Sequence, residues 1–185
     1  PPKLWWVFDM TKFDDLYEAA IDNYGLITAA EARAMGILDK ELARYSKRGW
    51  LERRGHGLYR LARHVPHKLD PYAEAVALVG PGSVIWGESV LAMGDLASVN
   101  PGKVTVATPR RVRRKLPEWI EVIRLPKGAR VGWYEDIPSQ PIADAIRSCA
   151  TSVMGERLAQ AVNDARGAGL IRASEAEDLK RELSL

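Results

Sequence analysis

The chain is poor in what most chemistries require. It has one cysteine, Cys149, in 185 residues. That excludes an intrachain disulfide and a Cys-rich metal site, and reads as a small buried apolar residue. No apolar run approaches the roughly 20 residues needed to span a membrane. There is no Walker phosphate loop, dinucleotide fingerprint, Gly-any-Ser-any-Gly elbow or His-Glu-any-any-His pair. Glu74, Glu88 and Asp95 are scattered acids that could imitate a divalent nuclease site, but no Glu-any-Lys strand pattern follows them. They read as helix caps or solvent-facing groups. His56, His64 and His67 lie in a turn and a Pro-broken stretch rather than at helical ligand spacing, and read as polar loop residues. The expectation is a protein with no catalytic residues, no cofactor and no metal. The start, Pro1 to Trp6, lacks the charge, apolar core and cleavage pattern of a signal peptide. With the single cysteine, this points to the cytoplasm.

What is present is segregated charge. The net charge is only +3. Residues 40–70 nevertheless hold nine bases against three acids, and residues 103–130 hold nine against two. The remaining stretches are each net acidic. Two basic blocks in an otherwise acidic chain suit a polyanion-binding face on a globular body.

The first block sits in a recognisable order of elements. Phe13, Leu16, Tyr17, Ala20 and Ile21 share one stripe and predict a helix over 12–23. Leu26-Ile27 allows a short strand. Thr28-Ala29-Ala30-Glu31 is a capping box that opens a second helix, and Gly36 ends it. Asp39 is placed to cap a third helix over 40–48, ended by Gly49. Two short helices across a tight Gly-containing turn form a helix-turn-helix pattern. On the third helix Leu42 and Tyr45 face one way and Lys40, Arg44 and Lys47 the other, flanked by Arg48. Trp50 to Arg54 and Leu58 to Leu61 then read as a hairpin whose tip, Gly55-His56-Gly57, has glycine at both ends for positive φ. A basic hairpin after such a helix is a wing. The expected contacts are Lys40, Arg44, Lys47 and Arg48 in the major groove, with Arg53, Arg54, His56 and Arg60 on the backbone or an adjacent minor groove.

These residues resemble the AbiEi family, the antitoxins of type IV toxin–antitoxin systems. The resemblance is carried by Gly25-Leu26-Ile27-Thr28 through Gly36, by Leu42 through Arg53, and by Gly57-Leu58-Tyr59. It continues more weakly through Ser83 to Leu96, through Ile142 to Ile146, and through Leu158, Ala161 and Ala165 to Leu170. The resemblance implies an autorepressor bound to double-stranded DNA at inverted repeats in its own promoter. It also implies an antitoxin opposing a nucleotidyltransferase-type toxin, with the C-terminal region tied to that activity.

The expected fold class is α+β: a winged helix-turn-helix over 1–66, then a mixed α/β domain over 67–185 ending in helices. The Pro-rich stretch from Val65 to Pro71 is the expected linker, with Asp70 capping a helix to Val79. Strands are expected at 84–86, 103–108 and 119–125, and helices at 88–96, 142–153, 156–168 and after the capping box Ser174 to Glu177. Between two of the strands, Arg110, Arg111, Arg113, Arg114 and Lys115 form the densest charge. On a strand, Arg111 and Arg113 would share one face. The run is expected to contact nucleic acid, with an acidic protein partner as the alternative. Trp5, Trp6 and Phe8 form an apolar cluster that suits either a strand folded back on the body or a protein contact. A second functional reading stays open: a protein-binding module that docks an acidic partner enzyme without sequence-specific DNA binding.

Overall fold

A computed structural model describes residues 5–185, with side chains from residue 11 onward. Two compact units divide the chain, Pro1–Leu78 and Val79–Leu185. The expected linker at 65–71 therefore lies inside the first unit. Its Leu69 is buried, and His64 holds Asp70 at 2.9 Å through Nε2.

The first unit contains α1 (Trp5–Ile21), β1 (Leu26–Thr28), α2 (Ala29–Ala34), α3 (Asp39–Lys47), β2 (Leu51–Gly55), β3 (Leu58–Leu61) and α4 (Asp70–Val79), whose last residue falls across the boundary. The strands form an antiparallel sheet in the order β1-β3-β2. This is the winged helix-turn-helix. Its core gathers Leu16 and Ala20 of α1, Ile27, Ala32, Ile37, Leu42, Tyr45, Leu51 and Leu61. The amphipathic stripe of α1 is thus the face the sequence marks, but the helix begins earlier, at Trp5. Trp5, Trp6 and Phe8 belong to that helix and not to a strand; their side chains lie outside the described residues.

The Thr28 capping box forms as its spacing requires. The Glu31 amide donates to Thr28 Oγ1 at 3.1 Å, and the Thr28 amide to Glu31 Oε2 at 2.7 Å. Gly36 and Gly49 both take positive φ, 75° and 74°, as left-handed stops. The cap of α3 differs from expectation. Leu38 holds the N-cap position, and Glu41 reaches back to accept its amide at 2.7 Å. Asp39 is already helical, and pairs instead with Arg33 at 3.0 Å. Asp70 likewise points away from its own helix, accepting the His67 amide at 3.0 Å.

The second unit contains β4 (Val84–Ile85), α5 (Glu88–Met93), β5 (Val104–Thr108), β6 (Ile120–Arg124), β7 (Gly132–Tyr134), β8 (Ile137–Ser139), α6 (Ile142–Ser148), α7 (Gly155–Gly167) and α8 (Ala173–Leu183). Its five-stranded sheet has the order β6-β5-β4-β8-β7 and mixes parallel and antiparallel pairs. The hairpin of β7 and β8 turns on Glu135 and Asp136, both at positive φ (47° and 62°). Such turns favour Asn, Asp or Gly, so Asp136 suits its position while Glu135 carries no signal for it. The last helix starts one residue before the expected box. Arg172 is its N-cap, and Glu175 accepts the Arg172 amide at 3.3 Å. Among the described residues no helix is long and apolar enough to cross a membrane.

Candidate nucleic-acid interface

The geometry of the first unit is set around α3. Leu42 and Tyr45 are wholly buried, while Lys40, Ala43, Lys47 and Arg48 are exposed. Tyr45 packs in an aromatic cluster with Phe13 of α1, 5.1 Å away edge to face, and with Trp50, stacked at 5.7 Å. Phe13 and Trp50 approach to 4.7 Å. Contacts of this kind add about 1 kcal/mol each beyond area burial, so α3 is held rigidly by its inner face. The turn before it is clamped as well. Lys12 Nζ donates to the Gly36 carbonyl at 3.0 Å and to Glu41 Oε1 at 3.2 Å. The Leu38 amide, followed by the Lys12 ammonium, holds the Glu41 carboxyl below its ordinary value, although partial burial opposes them.

One base of α3 and the base that caps its end lie over rings. The Arg44 guanidinium sits 5.7 Å from the Tyr45 ring centre, and Arg44 is half-buried. Arg48 lies 5.2 Å from the centre of the Trp50 ring. Trp50 precedes β2 rather than lying in it, and its place under Arg48 has no signal in the local sequence. The left-handed Gly49 between them folds the strand back so that the indole lies under the guanidinium.

The wing differs from expectation in three ways. Gly57 has positive φ (65°), but Gly55 does not; a Cβ on Gly55 would lie 2.4 Å from Leu78 Cδ2, the movable end of that side chain. The tip is pinned, because the Ala29 amide donates to the Gly57 carbonyl at 2.8 Å. And the wing bases do not all face outward. Arg53 and His56 are exposed. Arg60 is turned inward, its side chain 12% exposed and its Nη1 3.1 Å from Glu74 Oε2. Arg54 also reaches Glu74, at 3.1 Å and 3.2 Å through Nε and Nη2. Glu74, read from sequence as a surface or capping acid, is a buried carboxylate of α4 that neutralises two strand arginines. Arg60 is therefore turned onto an internal partner, while Arg54 pairs with the same carboxylate and stays exposed.

The second basic block lies in the other unit. Arg110, Arg111, Arg113 and Lys115 are exposed on the irregular connection between β5 and β6, not on a strand. Arg114 anchors that connection by donating to the Val79 carbonyl at 2.8 Å. Glu88 and Asp95 lie in this unit, at the start of α5 and just past its end, whereas Glu74 lies in the first. Among the described residues no group of His, Cys, Asp and Glu is placed to hold a metal ion. Cys149 is buried, and burial with the nearby Glu88 charge pushes its thiol up to about 11.

The aromatic-backed basic helix and its sheet occupy the same stretch as a known family. Residues 14–62 match the family model of the transcriptional regulator, AbiEi antitoxin. The match falls on the segment that carries the stronger part of the resemblance, from Asp14 in α1 through β3, and stops short of its weaker continuation past residue 83. It covers about a quarter of the chain, and the family it describes is one of transcriptional regulators and antitoxins. No curated protein matches the chain. Among solved structures it is similar to the crystal structure of RV2827C protein from Mycobacterium tuberculosis, at 14% identity and a TM-score of 0.46, over 92% of this chain and 71% of that one.

Proposed function

We propose that the chain is a transcriptional autorepressor that reads promoter DNA through α3. The observation that carries this is the division of that helix. Leu42 and Tyr45 are fully buried, while Lys40, Lys47 and Arg48 stand in solvent on a helix fixed by an aromatic cluster. In this reading Lys40, Arg44 and Lys47 approach base edges in the major groove, where Lys and Arg donate to guanine O6 and N7. Arg48, Arg53 and His56 hold the phosphates and set register. Arg54 and Arg60 act one step back, by fixing the wing on Glu74. The site is an inverted repeat upstream of the chain's own gene, bound by two copies. The protein works in the cytoplasm as an antitoxin against a nucleotidyltransferase-type toxin, and catalyses nothing itself. The family match over 14–62 supports the regulator and antitoxin parts of this reading.

The test is retardation of DNA from upstream of the gene, with scrambled duplex as competitor. Specific binding to an inverted repeat is the expected result. Equal binding to scrambled DNA contradicts the reading. Arg44→Ala is expected to lower affinity by about 1–3 kcal/mol and relax specificity at one position of the site.

A further inference from the structure

The connection between β5 and β6 is not used by the DNA reading, which rests on the N-terminal unit. β5 and β6 are parallel, paired from Val104 with Ile120 to Thr108 with Arg124. The chain crosses between them through residues 109–119 without a helix, and β6 is the end strand of its sheet. The Val104 amide donates to the Trp119 carbonyl at 2.8 Å, and the Leu125 amide to the Thr108 carbonyl at 3.0 Å. Backbone groups along a strand turn alternately to its two sides. Trp119, Glu121, Ile123 and Leu125 therefore face β5, while Val122 and Arg124 turn both amide and carbonyl outward. No described strand pairs with that outer edge.

A groove of about 880 Å³ is lined by β6, by the crossover and by Gly102 and Lys103 just before β5. Ile120, Val122, Val112 and Leu116 give it apolar lining, and Lys103 and Arg114 give it positive charge, against one acid, Glu118. Val122 is 37% exposed. Arg110, Arg111, Arg113 and Lys115 stand exposed on the crossover that forms one wall.

Three features select the occupant. An open strand edge offers donors and acceptors in turn, which another extended backbone satisfies together; a phosphate can only accept. The apolar lining suits every second side chain of such a strand. The surplus of nine bases over two acids across 103–130 requires opposite charge on the incoming chain. We propose that the β6 edge is a docking site for an extended acidic segment of a partner protein. The segment adds beside β6 as a sixth strand, with apolar side chains in the groove and carboxylates against the crossover arginines. This is independent of DNA binding by α3.

The probe is a short fluorescein-labelled peptide alternating Glu and Val, titrated by anisotropy against the full chain with no DNA present. Saturable binding that weakens with salt is expected. Two further peptides carry N-methyl groups on opposite alternate amides. Edge pairing predicts that one of the two loses binding at least tenfold and the other keeps it, a contrast that leaves the protein untouched. V122P removes an outward amide that makes no bond within the sheet, and is expected to cost at least tenfold, with an unchanged thermal melt. R113E/K115E is expected to do the same and to flatten the salt dependence. The proposal is overturned if the plain peptide does not bind. It is also overturned if both methylated peptides bind equally, or if duplex or single-stranded DNA binds this face with the same loss in R113E/K115E and none in V122P.

Discussion

Arg60 on β3 places its guanidinium 3.1 Å from the Glu74 carboxylate of α4, and both side chains are almost withdrawn from water. The same carboxylate holds Arg54 of β2 at 3.1 Å. One helix thus fixes both strands of the wing. Glu74→Gln leaves Arg60 without its charge partner in a low-dielectric site, where removing one member of a buried pair costs about 3 kcal/mol. Urea unfolding of the variant is expected to show a loss of that order. A loss under about 0.5 kcal/mol, the scale of a surface substitution, contradicts an internal role for the pair.

Glu41 gives the stability a pH signature. Its carboxyl is held below 4.5 in the folded state, first by the Leu38 amide and then by Lys12. A depressed carboxyl contributes stability fully above its unfolded value and loses it as pH falls through the folded one. Glu41→Gln is expected to cost about 1 kcal/mol at neutral pH. The gap from the parent then closes as the pH falls below about 4.5. Thermal melts at pH 7 and in acid measure it; a gap that persists in acid contradicts the assignment.

Gly25 takes φ 71°, and a Cβ there would lie 2.6 Å from His64 Nδ1. Strain and overlap act together, so Gly25→Ala is expected to lose roughly 1–3 kcal/mol. For a unit of this size the melting temperature falls by at least about 4 °C. Gly36→Ala is the control, because nothing lies within 4 Å of its Cβ position and only the φ strain remains. Gly25→Ala is expected to melt below it.

Cys149 is 2% exposed, and its thiol is pushed up to about 11. The thiolate is the reactive form. Iodoacetamide at pH 8 is expected to label the denatured chain quickly and the native chain only at the rate of opening. Rapid native labelling contradicts its burial.

The parts written in local code were legible. Thr28 and Glu31 sit three apart and form the box they spell, and Gly36 and Gly49 stop helices where expected. The faces of α3 follow from 3.6-residue spacing, so Leu42 and Tyr45 turn inward. What was hidden depended on distance in sequence. Glu74 lies 20 positions from Arg54, and no local rule pairs a helix acid with a strand base. That is why Arg60 read as a wing contact. The β7–β8 hairpin was hidden because Glu135 adopts positive φ without being a residue that favours it, which leaves Asp136 as the turn's one local signal. Asp39 lost the cap of α3 because the helix opens one residue earlier, where the Glu41 and Leu42 amides donate to the Leu38 carbonyl.

The central claim is that α3 meets base edges through Lys40 and Lys47, and preference for the upstream duplex over scrambled duplex, followed across salt, tests it most directly. Each phosphate neutralised contributes about −0.9 to the slope of log affinity against log salt. The parent and Lys40→Ala/Lys47→Ala are titrated with the upstream duplex across a salt series. The account predicts weaker binding by the variant and a smaller preference over scrambled duplex, with most of the salt slope retained because Arg48, Arg53 and His56 hold the phosphates. Identical affinity and preference in parent and variant contradict it.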